Sequence, residues 1–163
     1  MIATRPRTTQ TTDVWLTPQY ITDALKPFDL DPCTEEVRPW EVATRNYTKI
    51  EDGLKQTWRG FVWCNPPYGA QTQYWLRKMA EHNNGLALVF ARTETKMFFE
   101  SVWPKAKAIF FIKSRVKFCF PSGEAATENS GAPSVLIAYG DIALKRLERL
   151  EDTQLKGKLI YIN

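Results

Sequence analysis

The 163-residue sequence is poor in the residues from which many small catalytic and metal sites are built. It holds one histidine, His82, in a polar Glu-His-Asn-Asn stretch at an expected helix end, so a histidine-based triad or a histidine-rich metal centre is not expected. Its three cysteines, Cys33, Cys64 and Cys119, are widely spaced and odd in number, which excludes a disulfide framework and a Cys-x-x-Cys knuckle and fits a reducing cytoplasm. The His-x-Glu and Pro-Cys-x-x-Cys arrangement of zinc base deaminases is missing as well. No apolar run approaches the ~18 residues that a membrane helix needs, and the N-terminus has no apolar leader region. A soluble, unprocessed chain with no membrane partner and no metal is therefore expected.

What is present is ordinary globular material. Hydrophobic residues make up 44% and charged residues 25% of the chain, enough for one core and short for two. Residues 1–12, threonine-rich with Arg5 and Arg7, cannot bury anything and read as a flexible polar arm, leaving 13–163 as a single domain. The net charge of +4 is compatible with a polyanionic partner without requiring one.

Hydrophobic periodicity outlines the rest. Thr17-Pro18 offers a cap and a first-turn proline for a short helix through Ile21, Ala24 and Leu25, ending before Pro27. Strands are expected at 28–31, through Tyr47, and at 61–64, 86–90 and 108–112, with helices over 71–82, ended by Gly85, and over 95–102. Residues 32–45 show no period and read as a loop with one helical turn. Strands alternating with helices predict an α/β fold with a mostly parallel sheet. Residues 116–120 and 134–139 are strand-like runs joined by a polar loop over 121–133, predicted to form an antiparallel C-terminal strand pair. A charged amphipathic helix over 141–151 and an edge strand over 159–162 complete the outline.

Asn65-Pro66-Pro67-Tyr68 stands where the buried run 61–64 ends and a helix begins. In open parallel sheets, ligands bind at the carboxyl ends of strands, so this turn is the candidate catalytic site. The Asn65 amide oxygen and the Pro66 carbonyl are two acceptors for the hydrogens of a planar amino group. The two prolines stiffen the turn and present no competing N–H donor. Tyr68 offers an aromatic face on which an extruded base can stack. Such a site suits methyl transfer to a planar amide or amine nitrogen, an in-line displacement that relies on alignment more than on a nucleophilic side chain. A structural turn with a packed tyrosine is the plain alternative.

Several further motifs occur in order with this one: Asp13-Val-Trp15-Leu-Thr17-Pro18, Phe28-Asp-Leu-Asp31-Pro32-Cys33, Asp52-Gly53-Leu54, Trp58, Ala91-Arg92-Thr93-Glu94-Thr95, Arg115-Val-Lys-Phe118 and Ala132-Pro133-Ser134. Together they make the chain, over residues 13–139, resemble the phage and prophage Dam-type family of DNA N6-adenine methyltransferases. The resemblance implies a Rossmann-like class I methyltransferase fold. It also implies S-adenosylmethionine as donor, S-adenosylhomocysteine as product, double-stranded DNA as partner, and the cytoplasm of a bacterial host. Carried over, Trp15, Thr17 and Pro18 form the cofactor-side opening segment. Asp31, Pro32 and Cys33 lie against the methionine and ribose, Asp52 and Gly53 lie near the ribose or adenine, and Asn65 touches both cofactor and base. The glycine-rich turn usual after the first strand of this fold is replaced here by Asp-Pro-Cys-Thr.

Between Ser101 and Gly123 five basic residues occur with no acid: Lys105, Lys107, Lys113, Arg115 and Lys117. Lys113, Arg115 and Lys117, with Arg92, are the candidate DNA contacts. The interleaved phenylalanines read as inward-facing core. The loop over 121–133 is the candidate for reaching DNA near the target base. Two alternatives remain at this level. One is a methyltransferase with the same four-residue motif acting on RNA or on a protein glutamine. The other is a non-catalytic DNA-binding or anti-restriction protein on the same scaffold.

Overall fold

The structure, a computed structural model, describes residues 14–163, so the arm expected over 1–12 lies outside the described residues. The chain runs α1 (Gln19–Leu25), β1 (Phe28–Asp31), β2 (Ala43–Asn46), β3 (Val62–Cys64), α2 (Thr72–His82), β4 (Gly85–Phe90), α3 (Lys96–Ser101) and β5 (Ala108–Ile112). It continues with β6 (Ser134–Tyr139), α4 (Asp141–Glu148), a 3-10 turn (Arg149–Asp152) and β7 (Gly157–Tyr161).

One sheet takes all seven strands in the order β2-β1-β3-β4-β6-β5-β7. The pairs β1/β2, β1/β3 and β3/β4 are parallel, whereas β6 is antiparallel to both β4 and β5, and β7 is antiparallel to β5. Strands β1 to β5 therefore point one way, and their carboxyl ends share one edge. This is an α/β, Rossmann-like architecture.

Alternation along the strands divides the core between the two faces of the sheet, because successive side chains point to opposite sides. Leu86, Leu88, Phe110, Leu136 and Ala138 pack with Ile21 and Leu25 of α1 and Ala143 and Leu147 of α4. Ala87, Val89, Ile109, Val135 and Ile137 pack with Trp75, Leu76 and Met79 of α2 and Phe98 of α3. Strand β6 is buried along its whole length, as a central strand covered on both faces must be. Each fully buried Leu or Ile stabilises by roughly 1.5–3 kcal/mol.

Several expectations are corrected. The run 116–120 is not a strand of the sheet. Because β6 already pairs with β4 on one side and β5 on the other, no edge is left for it. Its backbone groups instead meet Leu16 and the chain just after it, in bridges Leu16↔Cys119 and Cys119↔Ala125. The antiparallel partner of 134–139 is thus not 116–120, and residues 113–133 form one long connection between the antiparallel neighbours β5 and β6. Helix α2 is ended by Asn83, in the left-handed region at φ 54°, and not by Gly85, which opens β4. A Cβ at Gly85 would lie 2.4 Å from the Val62 carbonyl oxygen, so the parallel contact between β3 and β4 requires glycine. The stretch 32–45 contains no helical turn, and its last three residues belong to β2, which ends one residue before Tyr47. Among the described residues no helix is long and apolar enough to cross a membrane.

Candidate active site

The carboxyl edge of the sheet gathers the ends of β1 (Asp31), β3 (Cys64), β4 (Phe90) and β5 (Ile112). Asn65 follows β3 directly. Its Nδ2 donates to the Thr17 hydroxyl oxygen at 2.9 Å. Its Oδ1 is buried and has no hydrogen-bond partner. Leaving a buried acceptor unpaired costs on the order of 1–3 kcal/mol, a cost the turn carries at this oxygen. The Asn65 backbone carbonyl accepts from the Cys33 thiol at 3.2 Å, which ties the turn after β1 to the turn after β3. Pro66 is buried and Pro67 exposed, and the Pro67 carbonyl accepts from the Thr72 hydroxyl at 2.6 Å, fixing the start of α2.

One face of the Tyr68 ring is covered. Its ring is stacked on Phe90, with centroids 4.3 Å apart and an interplanar angle of 9°, and meets the edge of Phe118 at 6.0 Å. Its hydroxyl is buried without a partner, and burial pushes its pKa above the usual phenol value. The chain offers two aromatic neighbours for Tyr68 that the sequence reading treated only as core. Their signal was positional, one at the end of β4 and one just after β5.

A small cleft, open to solvent, lies beside Asn65. Trp15, Thr17, Asp31 and Cys33, the residues that the resemblance places on the cofactor side, line it. Glu35, Arg38, Trp40 and Trp63 also line it, and sequence reasoning did not single these out. Three of the four sit in the aperiodic loop after β1, where no spacing rule marks a function. Pro18, Pro32, Asp52 and Gly53 are not among the lining residues. Asp52 sits in a left-handed turn at φ 54° with its carboxylate 3.1 Å from Lys55. Gly53 packs so tightly under the loop after β1 that a Cβ there would lie 1.9 Å from the Pro32 carbonyl oxygen.

Asp31 is buried, with its carboxylate accepting from the Cys33 N–H at 3.2 Å. Burial pushes its pKa up to about 7, against the opposing pull of the Cys33 N–H, the Thr34 side chain and the Arg38 charge. The Cys33 thiol lies 3.8 Å from that of Cys64. This contact, burial and the neighbouring acids raise its pKa well above the ordinary value, so it stays a neutral thiol and not a nucleophile. Among the described residues no group of three or more histidine, cysteine or acidic side chains is placed to hold a metal ion.

The basic run is split by the sheet. Lys105 and Lys107 precede β5, while Lys113, Arg115 and Lys117 follow it on the carboxyl edge and are exposed. Arg115 donates to the Ser130 carbonyl across the long connection at 3.2 Å. Arg92, exposed at the end of β4, lies 5.9 Å from the Phe90 ring.

A Rossmann-like sheet thus carries an unpaired buried amide acceptor at the carboxyl end of a central strand, beside a polar and aromatic cleft. The family model for DNA N-6-adenine-methyltransferase (Dam) matches residues 6–150, and the chain belongs to that family. Its members act on adenine in DNA, which makes DNA the partner. No curated protein and no solved structure matches the chain.

Proposed function

We propose that this chain transfers a methyl group from S-adenosylmethionine to N6 of an adenine extruded from double-stranded DNA, with Asn65-Pro66-Pro67-Tyr68 as the catalytic turn. The observation that carries this reading is the buried, unpartnered Oδ1 of Asn65. An acceptor at that place takes a hydrogen bond from the adenine amino group and turns the nitrogen lone pair out of the ring plane. The Pro66 carbonyl provides the second acceptor, in a turn that proline keeps free of competing donors.

The cleft fits the cofactor by its donor set. Asp31 and Glu35 suit hydroxyl and ammonium groups, and Trp15 and Trp40 suit an apolar ring system, while Arg38 is paired with Glu41 at 3.0 Å. When bound, S-adenosylmethionine supplies a methyl on a sulfonium with a neutral thioether as leaving group. Asn65 Oδ1 and the Pro66 carbonyl would hold the two N6 hydrogens while the nitrogen takes the methyl, the neutral thioether being released and one of those hydrogens passing to solvent as a proton. Asn65 touches the amino group, Tyr68 contacts the extruded base, and Lys113, Arg115, Lys117 and Arg92 hold the phosphates.

The test is radiolabelled methyl transfer to unmodified DNA, followed by digestion to nucleosides. Label in N6-methyladenine is expected. Label in another base or in RNA or protein only, or none at all, overturns the reading.

A further inference from the structure

We propose that Thr17 is a positioning residue for methyl transfer, its hydroxyl oxygen accepting from Asn65 Nδ2 and so holding the amide in place with Oδ1 left free for the reacting amine. This rests on the reading of Asn65 as the catalytic acceptor. An asparagine amide is nearly symmetric in shape but not in chemistry. Turned one way it presents an acceptor to the adenine amino hydrogens, and turned the other way it presents two donors that repel them. A threonine hydroxyl can donate as well as accept, so what Thr17 supplies is a fixed hold on the amide, here through Nδ2. Thr17 Oγ1 lies 2.9 Å from Asn65 Nδ2, a bond across 48 residues of chain, and it leaves Oδ1 buried and free.

The ordinary duties of such a threonine are not served here. Thr17 does not cap α1, whose N-cap is Pro18 with no side-chain cap bond. Its hydroxyl has instead been brought to Asn65, and its backbone is clamped on the preceding residue. The Leu16 N–H donates to the Cys119 carbonyl and the Cys119 N–H donates to the Leu16 carbonyl, both at 2.8 Å. On either side of Cys119, Phe120 packs on Trp15 at 5.4 Å and Phe118 meets Tyr68. One short segment after β5 thus anchors both the residue that orients the amide and the ring that shapes the base pocket. Thr17 is 6% exposed, so water is a poor substitute for its oxygen.

The test uses the full chain and a duplex carrying its mapped methylation site, with Thr17→Val and Thr17→Ser compared. Thr17→Val keeps the shape and removes the acceptor. A misplaced reacting group costs on the order of 100-fold, so kcat is expected to fall about 10- to 100-fold. Thr17 also lines the cleft, so cofactor affinity is measured alongside by calorimetry, and the loss in kcat is expected to persist at saturating cofactor. Fluorescence of 2-aminopurine placed at the target should still report base extrusion. Thr17→Ser keeps the oxygen and should restore kcat to within a few-fold of wild type, which a purely packing role would not predict.

Unchanged kcat in Thr17→Val overturns the proposal. So does a loss that lies wholly in cofactor affinity, or a Thr17→Ser variant as impaired as Thr17→Val. Should Thr17→Val melt well below wild type, Thr17→Ala against Thr17→Ser makes the same comparison. A wild-type protein that leaves no label in adenine sinks the parent reading, whereas an active wild type with an equally active Thr17→Val sinks this inference alone.

Discussion

The two halves of the carboxyl edge are built by opposite means. The acceptor half, after β3, is held by short-range covalent stiffness and apolar packing: two prolines, a stack of Tyr68 on Phe90 and a single amide held by Thr17. The cofactor half, after β1, is a loop of charges, with Asp31, Glu35 and Arg38 around a solvent-open cleft. Under the proposed mechanism the difference follows from what each half must do. Methyl transfer needs the acceptor within fractions of an ångström of its productive place. A zwitterionic ligand needs matched charges and room to enter.

The contrast is broken first by Asn65→Ala. Under the proposed mechanism it removes an interaction made most strongly in the transition state, so kcat is expected to fall by roughly 100- to 1,000-fold. Cofactor affinity should change little. Full activity in that variant would refute the mechanism, and a large loss of cofactor affinity would erase the distinction between the halves.

Tyr68 comes next. Removing the ring in Tyr68→Ala deletes the contact with Phe90 and the proposed contact with the base, and a stacked base is worth about 1–3 kcal/mol. We expect KM for DNA to rise about tenfold or more. Tyr68→Phe should be close to silent in activity and no less stable, because the hydroxyl it removes is buried and unpaired. A Tyr68→Phe variant with much weaker base capture would mean that the hydroxyl finds a partner on DNA.

Asp31 probes the other half. Asp31→Ala is expected to weaken cofactor binding about tenfold in calorimetry, the scale of a charged hydrogen bond. Asp52→Ala, whose carboxylate faces Lys55, should weaken it less. With a pKa of about 7, Asp31 is largely neutral at pH 6 and ionised at pH 8, so affinity for a cationic ligand should rise over that interval, and Asp31→Asn should flatten it. Stability runs the other way. The folded pKa lies above the ordinary value of 3.8, so the stabilisation from protonated Asp31 is complete below about pH 4 and is lost as pH rises through about 7. Asp31→Asn should therefore melt above wild type at pH 8, with the gap narrowing toward pH 5. A gap independent of pH would assign the effect to packing.

Legibility in the sequence followed the same division. Strands β4 and β5 and helix α2 were readable because their apolar periods are set by burial on known faces. The motif was readable because it is contiguous and starts where β3 stops. The run 116–120 misled because alternation reports a half-buried extended segment, not membership of a sheet, and β6 had already occupied both edges it could have joined. Thr17 was read as a cap and as a cofactor residue. Its bond to Asn65 spans 48 positions, and no local pattern encodes a partner that far away. Glu35, Arg38 and Trp40 escaped for the reason that makes them useful: a loop that shapes a cleft has no period to read.

The smallest effects concern the basic residues, and they sharpen the comparison because one run of sequence is divided between two edges. Lys113, Arg115 and Lys117 follow β5 on the edge that carries Asn65, whereas Lys105 precedes it, roughly 17 Å away along a five-residue strand. If the carboxyl edge lies on DNA, each of the first three releases a counterion when it meets a phosphate. Replacing any one by alanine should lower the slope of log K against log salt by roughly 0.9, with a few-fold loss of affinity near physiological salt. Lys105→Ala should leave the slope unchanged. Arg115 also braces the long connection through Ser130, so Arg115→Lys should keep the slope while loosening the loop. An equal slope change for Lys105→Ala would mean that the DNA wraps past the edge of the sheet, and the division of the run would then carry no functional meaning.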